Sequence, residues 1–201
     1  MILSRIYGHG RGWVFSKTDF LDLGQGGAVD TQLFRLHKTG TIRRLLPGLY
    51  DYPRYSEALS TVLGPDIGQV ALALSRKHRW QIVPDGPTAL HLLGLSEQVP
   101  AQYRYFSSGP NRRHIVGGVG VEFLHRKTQH TTLSDDRGAL LVQAIASIGE
   151  ERMSEELKDR LSRIYSAPDY RRIVVQTRAV TTWIHDTIKE IARRASLREE
   201  A

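Results

Sequence analysis

The sequence predicts an α+β fold in which a small head of short helices and one β-hairpin precedes a larger mixed α/β body that ends in helices. Three observations carry that expectation. The first 55 residues alternate short apolar-periodic runs with glycine breaks and close on a Pro-Gly hairpin signal. Residues 80–125 hold aromatic and β-branched runs bounded by Gly, Pro and Asp. From residue 138 onward the apolar spacing is helical.

In the head, Ile2-Leu3-Ser4-Arg5-Ile6-Tyr7 reads as a short helix stopped by Gly8, Gly10 and Gly12. Trp13-Val14-Phe15 is a short strand-like run. Ser16 then stands as N-cap to Lys17–Leu23, with Asp19 three residues on in the position of a capping-box acid. Gly24-Gln25-Gly26-Gly27 breaks the pattern, and residues 28–39 resume it with Val29, Leu33 and Leu36 on one face until Gly40. Residues 41–46 and 49–52 flank Pro47-Gly48 as a hairpin. Two helices around a glycine turn, followed by a hairpin, is the layout of a winged helix-turn-helix, assigned to residues 1–55.

The body, residues 56–201, is expected to contain a helix at 66–79 and a strand at 80–83. A turn at 84–87, a helix at 88–93 and strands at 103–106 and 113–125 follow, the last split by Gly117-Gly118. Ser134 or Asp135 is a candidate N-cap before a helix at 138–148. Helices at 154–164 and about 178–194 complete the expected order.

Composition narrows the function. The chain has 40% hydrophobic and 24% charged residues and no cysteine, which fits an ordinary globule and excludes disulfides, thiolate metal sites and a cysteine nucleophile. Its longest apolar stretches are too short to span a bilayer, so a cytoplasmic protein with no membrane partner is expected. Net charge is +7. Residues 1–55 hold eight bases and four acids, a net +4, which leaves +3 for the other 146 residues. Positive charge concentrated in a head favours phosphate partners.

A recognition helix buries one stripe and shows the opposite one to the major groove. At about 100° per residue, the stripe opposite Val29, Leu33 and Leu36 holds Gly27, Thr31, Phe34, Arg35 and Lys38. Arg35 suits a bidentate guanine contact, Thr31 a base edge or phosphate, and Lys38 the backbone. Phe34 suits either a thymine-methyl contact or packing against the body, with packing the favoured expectation. Arg43 and Arg44 alternate on a strand, so at most one faces DNA. Ser16 and Lys17, opening the second helix, are candidates for a phosphate contact. The competing expectation is a head of the same fold used for protein contacts without specific DNA binding.

Catalytic patterns are weak. The eight histidines are scattered, with His125 and His130 the closest pair, and their residue types suit polar positions near a strand end. Asp135-Asp136 suits helix capping, and Gly117-Gly118-Val119-Gly120 suits a hairpin turn because no Lys-Ser/Thr follows. Tyr103, Tyr105 and Phe106 lie among Arg104, Arg112, Arg113, Arg126, Lys127, Arg171 and Arg172, a composition that would suit RNA stacking, but alternation along a strand favours the core for the aromatics. No catalytic residue, metal ligand or cofactor is expected.

Several segments carry a family resemblance: Arg5-Ile6-Tyr7-Gly8-His9-Gly10-Arg11-Gly12-Trp13-Val14-Phe15, Gly40-Thr41-Ile42-Arg43-Arg44 with Gly48-Leu49-Tyr50-Asp51-Tyr52-Pro53, Leu92-Leu93-Gly94-Leu95-Ser96-Glu97-Gln98-Val99-Pro100-Ala101, and Gly109-Pro110-Asn111-Arg112-Arg113. In these the chain resembles the AbiEi-type antitoxins of bacterial type IV toxin–antitoxin systems, in their shorter form. The resemblance spans residues 4–125 and is weak in the last 75. It implies a winged helix-turn-helix that represses its own operon at inverted repeats in the promoter, and a C-terminal domain with antitoxin activity. It further implies a nucleotidyltransferase-like toxin counteracted without a stable complex. Inverted repeats imply two copies on DNA, as cooperating monomers or as a homodimer. Phe34 departs from the small or polar residue expected on an exposed recognition face.

Overall fold

The computed structural model describes residues 1–126 and 136–199, and its fold is α+β. The chain forms two compact units. The first comprises Met1–Ile82, Ala101–Tyr103 and Ser107–His125, the second Val83–Pro100, Arg104–Phe106 and Arg126–Ala201.

The first unit opens with α1 (Ile2–His9), which stops where Gly10 turns to φ 80°. Strand β1 (Val14–Ser16) follows, then a 3-10 helix (Lys17–Leu23) started by the Ser16/Asp19 capping box. Helix α2 (Gly26–Lys38) carries the expected buried stripe Val29, Leu33 and Leu36. Strands β2 (Arg43–Leu46) and β3 (Leu49–Asp51) form the hairpin, with Gly48 at φ 70° after Pro47, the positions a tight Pro-Gly turn requires. β1 pairs antiparallel with β3, so the sheet order is β1-β3-β2. Under it Ile6, Phe15, Phe20, Val29, Leu33, Leu36 and Ile42 make one core. Phe15 and Phe20 meet edge to face at 5.4 Å.

This unit continues past residue 55. A small antiparallel pair, β4 (Tyr55–Ser56) with β5 (Thr61–Val62), has too short a pattern to be legible in the sequence. Helix α3 (Ile67–His78), N-capped by Asp66, packs on β1 and the 3-10 helix. Arg76 donates to Asp19 Oδ1 (2.8 Å) and to the Val14 carbonyl (2.9 Å), and Lys77 Nζ donates to the Pro47 carbonyl (2.8 Å).

A four-stranded sheet contains β6 (Ile82–Pro84), β7 (Gln102–Ser107), β8 (Arg112–Val116) and β9 (Val119–His125) in the order β6-β7-β9-β8. The division between units runs through β6 and β7. Gly117 and Gly118, at φ 59° and 84°, turn β8 into β9, which is the role the sequence gives them.

The second unit holds α4 (Gly86–Leu92), α5 (Asp136–Ile148), α6 (Glu155–Ser162), α7 (Ala167–Gln176) and α8 (Thr182–Glu199). Of residues 84–87, expected as a turn, Pro84 ends β6, Asp85 caps α4, and Gly86 and Pro87 open it. Asp85 accepts from the Thr88 amide (3.0 Å), and proline is tolerated in a first helical turn because no amide there needs an intrahelical partner. Helix α7 is absent from the sequence expectation although Ser166-Ala167-Pro168-Asp169 is a start signal. Ser166 Oγ accepts from the Asp169 amide and donates to its carboxylate. The last helix begins at Thr182 because residues 177–179 form a separate 3-10 turn. The N-cap expected at Ser134 or Asp135 lies outside the described residues. Leu141, Ile145, Leu161, Tyr170, Ile173, Ile184, Ile188, Ile191 and Ala195 form this unit's core. No helix among the described residues is long and apolar enough to cross a membrane.

Candidate nucleic-acid interface

The stripe of α2 opposite its buried face is open. Gly27, Thr31, Phe34, Arg35 and Lys38 are all exposed, while Val29, Leu33 and Leu36 are buried. Thr31 Oγ1 donates back to the Gly27 carbonyl (3.0 Å), which fixes its rotamer and leaves its oxygen lone pairs on the outer face. Arg35, His37 and Lys38 fall in the last turn, where the helix dipole stabilises cations. Arg35, Lys38 and Arg44 make no ion pair among the described residues, so their charge is uncancelled.

Other expected contacts are closed or altered. Ser16 is fully buried: its amide donates to Asp19 Oδ2 (2.9 Å) and its hydroxyl bonds Thr18 Oγ1 (2.7 Å), so it offers nothing to a phosphate. Lys17 is half-exposed but paired with Asp30 at 3.1 Å. Arg43, about a third exposed, is held by Asp51 and donates to the Leu63 carbonyl (3.1 Å), so its charge is already engaged. Arg44, its neighbour, is the exposed member of the pair, as strand alternation requires. Phe34 does not pack as expected. It is 54% exposed, with Lys38 Nζ 5.6 Å from its ring centroid, a cation–π arrangement on the helix surface.

Lys77 was not legible as part of this surface, because its role depends on α3 reaching the hairpin turn across 30 residues of sequence. Burial, reinforced by Lys17, holds its ammonium below the ordinary lysine range. Lys77 thus sits beside Pro47-Gly48, and Gly48 is close enough that a Cβ would lie 3.3 Å from Lys77 Nζ.

The aromatics of β7 separate as alternation predicts: Tyr103 and Tyr105 are buried, and Phe106 is covered by the Arg126 guanidinium at 3.9 Å. That removes them as a stacking platform for bases. Arg112, Arg113, Arg171 and Arg172 are exposed, and Arg104 lies 3.9 Å from Asp85. His125 Nδ1 sits 2.9 Å from the Gly109 carbonyl. His130, Lys127 and Asp135 lie outside the described residues. Among the described residues no three His, Asp or Glu side chains gather as a metal site.

The family model of DUF6088, described as a family of unknown function, matches residues 1–173, which takes in the whole of the α2 and hairpin surface. No curated protein matches the chain. With most of its length matched, the chain belongs to the DUF6088 family.

Proposed function

We propose that this protein is a DNA-binding transcriptional autoregulator whose head is a winged helix-turn-helix, with α2 as recognition helix and the β2–β3 hairpin as wing. The observation that carries the proposal is the exposed stripe Thr31, Arg35 and Lys38, set opposite a fully buried one and accompanied by Arg44 on the hairpin. The element order supports it as well, since β1 falls between the first two helices and closes the hairpin into a three-stranded sheet. A helix of this kind fits the major groove, about 12 Å wide, where a guanidinium reads guanine by two hydrogen bonds. In the same proposal the protein acts in the cytoplasm, binds inverted repeats in its own promoter as two copies, and counteracts a nucleotidyltransferase-like toxin without a stable complex. That antitoxin role is supported by the sequence resemblance across residues 4–125.

The test is equilibrium binding to the duplex upstream of its own gene and to a scrambled duplex, at two salt concentrations. Affinity for the promoter should exceed that for the scrambled duplex and fall as salt rises. Arg35→Ala should weaken promoter binding by roughly tenfold to a hundredfold and narrow the gap between duplexes. Equal affinity of the intact protein for both duplexes overturns specific binding. The antitoxin role is tested by co-expression with the adjacent gene product: relief of growth arrest is expected, and its absence overturns that part.

Phe34, exposed on the same stripe, favours a second reading in which the head docks protein. Under that reading the adjacent gene product co-elutes with the chain in size exclusion, and duplex binding is lost at physiological salt.

A further inference from the structure

The end of the three-stranded sheet away from Pro47-Gly48 builds a second cationic feature. β1 and β3 run antiparallel with Ser16 opposite Leu49 and Val14 opposite Asp51, so the residues before β1 and after β3 meet at the end far from the turn. The pairing continues there: Tyr52 donates to the Trp13 carbonyl (3.0 Å) and Gly12 to the Tyr52 carbonyl (2.6 Å). This brings Arg11 and Arg54, 43 positions apart in sequence, to one pocket of about 340 Å³ that His9, Asp66 and Gln69 also line.

Neutral groups hold the first guanidinium. Arg11 donates to the Pro53 carbonyl (2.9 Å) and lies 4.6 Å from the Tyr52 ring centroid, so it is oriented without losing its charge. Arg54 has Asp66 as its acid, at 3.9 Å and with both side chains well exposed, which is a weak pair. Asp66 is also engaged through its other oxygen, which accepts from the Gln69 amide (3.1 Å) to cap α3. The His9 ring stacks on Trp13 at 3.9 Å and 16°, which places an imidazole on the pocket wall. Gly12 makes room for the arrangement. At φ 94° a Cβ would sit 3.1 Å from Cδ and Nε of Arg54.

Two guanidiniums, an imidazole and a carboxamide around one committed carboxylate make a polar pocket with excess positive charge. Fork-shaped donors of this kind match the oxygens of a phosphate, and the volume is at the small end of ligand sites, which run from about 300 Å³. We propose that this pocket binds a phosphate group. It shares no residue with the α2 stripe. The phosphate could belong to a free small molecule or to a nucleic-acid backbone.

The experiment titrates the full chain calorimetrically with inorganic phosphate and with adenosine monophosphate at low ionic strength. Arg54→Gln, Arg11→Gln and, as a charge-matched control on an exposed site elsewhere, Arg193→Gln are compared with the unaltered chain. Saturable binding of both probes is expected, weakened about tenfold or more in Arg54→Gln and Arg11→Gln, as loss of one charge-assisted hydrogen bond implies, and retained in Arg193→Gln. Thermal melting without ligand identifies any variant that fails to fold, and the two arginine variants serve as alternates. A labelled duplex separates the sources. Competition by adenosine monophosphate, with weaker duplex binding in Arg54→Gln, assigns the pocket to backbone phosphate. Binding of the nucleotide with unchanged duplex affinity assigns it to a free ligand. Equal binding by Arg54→Gln and the unaltered chain, or no saturable binding of either probe together with unchanged duplex affinity in Arg54→Gln, overturns the proposal.

Discussion

Arg43 and Asp51 face each other across β2 and β3 and form a two-point ion pair, Nε to Oδ1 at 3.0 Å and a terminal nitrogen to Oδ2 at 2.5 Å, with Asp51 only 1% exposed. A buried carboxylate held this way is costly to leave half-made. Asp51→Asn is expected to lower stability by about 2–3 kcal/mol, below the range for a fully buried pair because Arg43 is partly solvated. Urea unfolding with an unchanged m-value checks it. Arg44→Ala should stay within about 0.5 kcal/mol of the parent yet weaken duplex binding several-fold. Equal stability losses at the two arginines would contradict the assignment of one to the fold and the other to the surface.

Two histidines are expected to make the first unit acid-sensitive. Burial holds His78 and His114 below the ordinary imidazole value of 6.5, with Lys77 and Arg112 near His78, and Arg112, His78 and Lys77 near His114. Nε2 of His114 is buried without a hydrogen-bond partner among the described residues. The folded imidazoles stay neutral while those of the unfolded chain protonate, so the unfolded state binds more protons in acid. Their contribution is whole above 6.5 and is lost as pH falls below it toward the folded values. The melting temperature should drop across that window, and His114→Gln should flatten the drop. A pH-independent melting temperature would contradict this.

Gly109 is fixed by Trp80 rather than by backbone conformation. A Cβ there would lie 2.3 Å from the indole, which His78 stacks at 4.6 Å and Phe123 meets at 5.5 Å. The ring is held by contacts on two sides, so Gly109→Ala is expected to cost about 1–3 kcal/mol by overpacking. A shift in the urea midpoint measures it, and an unchanged midpoint would mean that Trp80 has another place to sit.

In the second unit the fully buried Tyr170 donates its hydroxyl to the Leu161 carbonyl, tying α7 to the end of α6, and burial pushes the phenol well above its ordinary range. Tyr170→Phe keeps the ring and strands the carbonyl. A loss of about 1–2 kcal/mol is expected. The near-ultraviolet circular dichroism spectrum should otherwise keep its shape.

Local signals were legible wherever the residues that made them were neighbours in sequence. The Ser16/Asp19 capping box, the Val29/Leu33/Leu36 stripe, the Pro47-Gly48 hairpin and the Gly117-Gly118 turn each follow from a few adjacent side chains and a fixed period. Helix α7 escaped because its apolar spacing is short and its cap overlaps a proline that also suits a turn. Phe34 is exposed although it is apolar, because side-chain chemistry does not say whether the fold supplies a surface to cover it.

The sequence by itself determined the α+β class, the order of most elements and which face of α2 is buried, because period and capping are local properties of the chain. Only the tertiary structure decided which cations are free. Arg43, Arg44, Arg11, Arg54 and Lys77 carry the same charge in the sequence, but Asp51 neutralises the first, and Lys77 is spent on a hairpin turn 30 residues away. The pocket joining Arg11 to Arg54 arises from strand register. A charge's availability depends on what long-range folding places beside it, and that distance is not written in its neighbours.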